Sequence, residues 1–135
     1  MFNMQFNSQI CTSREQSERL LALGLKKETA DMAIEPDLES IYEAYYISAY
    51  PPSKRGIPAW SLHRLIEMMP KSIYYKSLAC FLFIDQSVYV EYRHSLYGAS
   101  QTIMEQFMKS NLWENLINCI EWLIKEGYFP KEYFA

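Results

Sequence analysis

Between Ser72 and Gly98 the chain reads SIYYKSLACFLFIDQSVYVEYRHSLYG, two runs rich in β-branched and aromatic residues broken once by the polar triplet Asp85-Gln86-Ser87. Such runs on either side of a short polar break predict a β-hairpin. Two registers compete for it. A two-residue loop at Asp85-Gln86 sets Phe83 opposite Val88, Phe81 opposite Val90 and Ala79 opposite Tyr92; a three-residue loop through Ser87 sets Ile84 opposite Val88, Leu82 opposite Val90 and Cys80 opposite Tyr92. A slip of one residue turns the first strand over, so the choice decides which side chains are buried. Stacking two Phe on two Val favours the first register, and in both Val88, Val90 and Tyr92 point inward while Glu91 and Arg93 point outward. A lone hairpin is marginal in water, which requires helices over its apolar face.

Helical spacing supplies those covers. Ser13 with Gln16 matches a capping box and Gly24 a stop, predicting a helix over Arg14–Leu23, with one further turn over Lys27–Met32. Pro36 with Asp37 and Glu39 reads as a helix start, with Leu38, Ile41, Tyr42 and Tyr45 at helical spacing, whereas Tyr46–Tyr50 reads equally as a strand ended by Pro51-Pro52. Ser53–Gly56 is a basic exposed turn. Within Ile57–Pro70, Ser61 is the N-cap, Trp60 and Leu65 form a hydrophobic staple, and Leu62, Leu65, Ile66 and Met69 make one face before Pro70 ends the helix. Thr102–Met108 has the spacing of a short helix or irregular crossing. Leu112–Glu126 is the strongest helix: Leu112, Trp113, Leu116, Ile117, Cys119, Ile120, Leu123 and Ile124 fill one arc, Glu114, Asn118, Glu121 and Lys125 lie opposite, and Gly127 is the stop. Trp122 falls on the polar side, where the aromatic tail Tyr128–Ala135 folds back over it or leaves it open to a partner. The expected architecture is one α+β domain over residues 1–135, a small antiparallel sheet built on the central hairpin and packed by three or four helices.

Composition agrees with a folded chain. At 135 residues, 50% hydrophobic and 16% aromatic, it buries roughly two thirds of its unfolded surface on the usual scaling. The formal charge of −3 disfavours a phosphate backbone as partner. Recognition of nucleic acid through Lys54, Arg55 and stacking tyrosines is therefore the weakest reading. Cys11, Cys80 and Cys119 are widely spaced and odd in number, against a disulfide framework or zinc site and in favour of a reducing compartment. No secretory signal pattern opens the sequence, and no apolar run approaches the ~18 residues that cross a bilayer. The expectation is a cytoplasmic chain with no metal, no cofactor, no nucleic acid and no membrane.

Three patches, CTSREQSERLLALGLKKETADM, IPAWSLHRLIEMMP and CIEWLIKEGYFPKEYF, resemble in that order a family of small uncharacterised proteins recurrent in gut-anaerobe genomes and their integrated mobile elements. Together they cover about two fifths of the chain; Lys27 stands where the family has Pro. The resemblance implies a bacterial cytoplasmic setting and carries over no activity and no functional residue.

Candidate chemistry is sparse. Of the two histidines, His63 belongs to a helix surface, while His94 shares the inward parity of Cys80 under the three-residue loop, a thiol and base pair for a small hydrolase or transferase. A Cys between Ala79 and Phe81 is more commonly structural. Glu35, Asp37, Glu39 and Glu43 are an acidic cluster without the spacing of a calcium loop, and a solvated helix start accounts for them. Neither glycine-rich phosphate motif is present. The surplus is aromatic: Tyr45, Tyr46, Tyr50 and Trp60 cluster in sequence, and Trp122 leaves the apolar arc. Large rigid rings with one polar tip suit protein interfaces, although such residues also cover cores. Tyr45, Tyr46, Tyr50 and Trp122 are the candidate partner-binding set, for a protein partner or self-association.

Overall fold

The computed structural model describes residues 9–39, 44–75, 77–85, 89–96, 99–102 and 111–134. The first helix, α1 (Arg14–Ala22), begins with a complete capping box: the Ser13 hydroxyl accepts from the Gln16 amide, and the Ser13 N–H donates to Gln16 Oε1 at 2.9 Å. It stops where Gly24 takes a φ of 103°.

A single 3-10 turn, Lys27–Thr29, leads into β1 (Met32–Pro36), so the helical turn expected to run through Met32 ends earlier. The helix expected to start at Pro36 is replaced at both ends: Pro36 closes β1, and Tyr45 opens β2 (Tyr45–Ala49). Ile41 and Tyr42 lie outside the described residues. The reason is tertiary. β1 pairs antiparallel with β2 on one side and with β3 (Ile57–Ala59) on the other, and ladder bonds on both edges override a helical spacing. The strand reading of Tyr46–Tyr50 is the one realised, one residue earlier.

Ser61 caps α2 (Leu62–Met68), accepting from Arg64 N at 3.2 Å. Its own N–H and hydroxyl donate to the Asp31 carboxylate at 2.8 and 2.5 Å, tying the helix start to the segment before β1. Trp60 and Leu65, the two ends of the staple, are fully buried in one cluster.

The second sheet runs β4 (Ser72–Tyr75), β5 (Leu78–Asp85), β6 (Tyr89–Leu96) and β7 (Ala99–Thr102), each antiparallel to the next. Its first apolar run is two strands, because the chain reverses between Tyr75 and Leu78, with Ser77 at a φ of 67°. Between β5 and β6, Ile84 faces Val90, Leu82 faces Tyr92 and Phe81 faces Arg93, which is neither expected register. The pairing lies two residues from the three-residue-loop alternative and keeps its faces. Phe81 and Phe83, favoured as inward residues, therefore lie on the outer face. What decides the faces is α3: Cys80, Val90 and Tyr92 are fully buried on the side it covers, and the Tyr92 hydroxyl donates to the Pro70 carbonyl at 2.7 Å. Val90 and Tyr92 are inward as expected, while Val88 lies outside the described residues. Glu91 is enclosed despite its outer-face position, ion-paired with Arg93, whose guanidinium lies 4.3 Å from the Phe83 ring centroid. Thr102, expected to open a short helix, ends β7; residues 103–108 lie outside the described set.

Asn111 caps α3 (Leu112–Lys125), its side chain accepting from Glu114 N at 2.9 Å. The apolar arc, from Trp113 to Leu123, fills the main core with Leu20, Leu65, Ile73 and Val90. The polar edge of α3 is occupied as well. Arg19 of α1 donates to Asn118 and Glu121, each at 2.6 Å, and Gln16 donates to Glu114 at 2.8 Å. After α3 the tail turns back: Tyr128 stacks on Trp122 at 5.6 Å, Phe129 enters the core, and Lys26 N donates to the Tyr133 carbonyl at 2.9 Å. The result is an α+β arrangement with two antiparallel sheets instead of the one expected, and three α-helices among the described residues.

Candidate functional site

β2 is an edge strand. In the order β2-β1-β3 it has one strand neighbour among the described residues, and its other edge leaves backbone N–H and C=O groups without a ladder. Side chains alternate along it. Tyr45 and Ile47 stand across from Pro36 and Ile34, on the face of the small cluster formed by Cys11, Ile34 and Ala59; Tyr46 and Ser48 stand across from Glu35 and Ala33 on the opposite face. Tyr45, Tyr46 and Ile47 are 48%, 55% and 45% exposed, an unusual run of large apolar groups facing water.

Each face of the strand borders a shallow cavity. On the Ile47 side a space of about 300 Å³ is lined by Ile10, Cys11, Ile34, Tyr45 and Ile47. Its rim is anchored: Thr12 N donates to the Trp60 carbonyl at 2.8 Å, and the Arg14 guanidinium donates to the Tyr45 hydroxyl while lying 5.2 Å from the centroid of its ring. On the Tyr46 side a space of about 450 Å³ is lined by Glu35, Pro36, Leu38, Tyr46, Lys54 and Arg55. Here the local sequence builds the geometry. The Glu35 carboxylate is buried and accepts from Ser53 N at 2.7 Å and from the Ser53 hydroxyl. The Ser53–Gly56 turn closes over that carboxylate so tightly that a Cβ on Gly56 would lie 2.5 Å from Glu35 Oε1. Folded around Glu35, the turn presents Lys54 and Arg55 to solvent, and neither forms a salt bridge among the described residues.

The aromatic candidates divide between two regions. Tyr45 and Tyr46 lie on this edge. Tyr50, just beyond β2, is half-buried against the main core, its N–H donating to the Asp31 carbonyl at 3.3 Å. Trp122 is half-buried on α3 beneath Tyr128. The sequence pattern did not single out Ile47 or anticipate the outer-face residues Tyr74, Phe81 and Phe83, which are 74%, 55% and 47% exposed; period-2 parity held the signal, but the register that reads it was undetermined. A further groove of about 490 Å³ runs between α2 and the second sheet over Ile66, Met69, Leu82 and Ile84.

The candidate thiol and base are enclosed. Cys80 is fully buried on β5, its thiol donates to the Leu78 carbonyl at 3.2 Å, and burial pushes its pKa up, which disfavours the thiolate a nucleophile needs. His94 is buried on β6, and among the described residues its Nδ1 has no hydrogen-bond partner. Cys11 and Cys119 are likewise buried thiols with raised pKa values. The acidic cluster disperses instead of fronting a helix: Glu35 turns inward, Asp37 accepts from Glu39 N at 3.1 Å, and Glu43 lies outside the described residues. Among the described residues no group of His, Cys, Asp or Glu is arranged to hold a metal ion, and no helix is long and apolar enough to cross a membrane. His63 is exposed and lies 3.4 Å from Glu67. Compared with known proteins, the chain matches no protein-family model, no curated protein and no solved structure.

Proposed function

We propose that this chain is a non-catalytic protein-interaction module that docks a partner protein along β2. The observation that carries the reading is the exposure of Tyr45, Tyr46 and Ile47 on a strand with one edge that no other strand pairs with among the described residues, since large apolar side chains beside such backbone groups gain most from being covered. The sequence resemblance adds the setting, an accessory role in the bacterial cytoplasm within a mobile element. The alternative, a Cys80/His94 hydrolase or transferase, is disfavoured by a thiol that is enclosed and whose pKa burial pushes up.

A photo-crosslinking side chain placed at Ile47, with a second variant carrying it at the exposed Lys125 as control, tests the module in living bacteria. The expected result is a discrete protein adduct from position 47 that is missing from position 125 and disappears when Tyr46→Lys is added. Equal labelling from both positions, or none from position 47, rejects it.

A further inference from the structure

We infer that the ligand of the β2 edge is an extended peptide whose side chains alternate apolar and acidic, added as a new strand beside Tyr45–Ala49. The inference rests on the interaction reading and supplies the chemistry of the partner.

Among the described residues the strand itself is open to addition. Tyr-Tyr-Ile-Ser-Ala contains no charge, proline or glycine, so none of the devices that block strand pairing acts within it. Such an edge takes up a peptide by completing main-chain hydrogen bonds, while specificity comes from what meets the alternate side chains on the two faces. The two faces of β2 differ. On one, an incoming side chain meets Ile10, Tyr45 and Ile47 above an apolar cavity. On the other it stands beside Tyr46, which lines the second cavity together with Lys54 and Arg55. Glu35, on the floor of that second cavity, is enclosed and already accepts from Ser53, which leaves the two projecting cations to be met by carboxylates from outside. A period of two in the ligand, apolar then acidic, follows from the period of two in the strand.

Other occupants fit less well. A second copy of β2 carries no carboxylate for Lys54 and Arg55. A nucleic acid would find two cations on a chain of net charge −3 and would leave the apolar face unused.

The test uses the full chain and short fluorescent synthetic peptides read by anisotropy: one alternating Val and Glu, one alternating Val and Lys, and one with the Val and Glu residues of the first in two blocks. The alternating Val/Glu peptide is expected to bind saturably, more weakly at high salt, and about tenfold more weakly to a Lys54→Glu/Arg55→Glu variant whose melting temperature is unchanged. A proline at its centre is expected to abolish binding, because it removes a ladder donor. The inference is overturned by absence of saturable binding, by equal binding of the block or Val/Lys peptide, or by undiminished binding to the charge-reversed variant. It is overturned as well if an oligothymidylate displaces the peptide or if light scattering shows a dimer that Ile47→Lys dissolves. Should every peptide fail while the position-47 adduct persists, the module stands and only this partner chemistry falls; failure of both removes both.

Discussion

The two sheets of this chain show what a covering helix does. β6 of the four-stranded sheet lies against α3, and Cys80, Val90 and Tyr92 are fully buried in a core shared by all three helices and the C-terminal tail. Among the described residues β1 to β3 have a cluster of Cys11, Ile34 and Ala59, edged by Met32 and Ile57, and β2 projects beyond it with its large side chains in water. Stability should reside in the first region, and the second is free to be used as a surface. Local opening free energies differ across a structure in this way wherever buried apolar contacts thin out.

The largest expected effect separates the two cores. Leu116→Ala, at a fully buried position on α3, should lower unfolding stability by about 3–4 kcal/mol, and Ile34→Ala in the small cluster by about 2 kcal/mol or less, both read from denaturant midpoints. Equal losses would break the comparison. Thiol labelling in mild denaturant sharpens it. Cys11 belongs to the small cluster and Cys80 and Cys119 to the main core, so Cys11 should label about tenfold faster or more, the others waiting for global unfolding. Fast labelling of Cys80 in native buffer would instead revive the catalytic alternative.

Gly56→Ala probes the turn over Glu35. The added Cβ would meet the carboxylate at 2.5 Å, and the expected loss is about 1–2 kcal/mol, together with weaker peptide binding as Lys54 and Arg55 shift. Arg19→Ala addresses the polar seam between α1 and α3 and should remove about 0.5–1 kcal/mol at neutral pH, since both partners remain about a third exposed. Its pH dependence has a definite sign. The Arg19 hydrogen bond, assisted by the charges of Arg19 and Lys125, holds the Glu121 carboxyl below its ordinary 4.5. A lowered folded pKa gives stability that is full above that value and lost as pH falls through the folded pKa, so the variant should show a flatter acid limb in pH-dependent melting. The smallest effect belongs to Ile47→Lys: within about 0.5 kcal/mol of the parent in stability, while abolishing partner adducts. A large destabilisation there would show that β2 is core and no docking edge.

Much of the helical structure was legible in the sequence because its signals are local. The Ser13/Gln16 box, the Ser61 cap, the apolar arc of α3 and the Gly127 stop each depend on residues within a turn or two of one another. The strands were less legible. Tyr46–Tyr50 was ambiguous between helix and strand until β1 paired with it, and the reversal at Ser77 carried no Gly or Asn to mark it. Of the candidate site, Tyr45 and Tyr46 were found from composition alone. Ile47 and the role of Glu35 in setting the Lys54-Arg55 turn were not, since Glu35 and Ser53 are brought together only by the pairing of β1 and the loop after β2.

By itself the sequence determined where α1, α2 and α3 begin, which arc of α3 is buried and that Val90 and Tyr92 share a face, because caps and periodicities act over one or two turns of chain. Tertiary structure alone decided the hairpin register, the division into two sheets and the outward placement of Phe81 and Phe83, because strand pairing is a non-local choice made by whatever covers one face. α3 packs on the inner face of β6. Among the described residues no strand pairs along the free edge of β2, and that difference is what leaves the edge open to a partner.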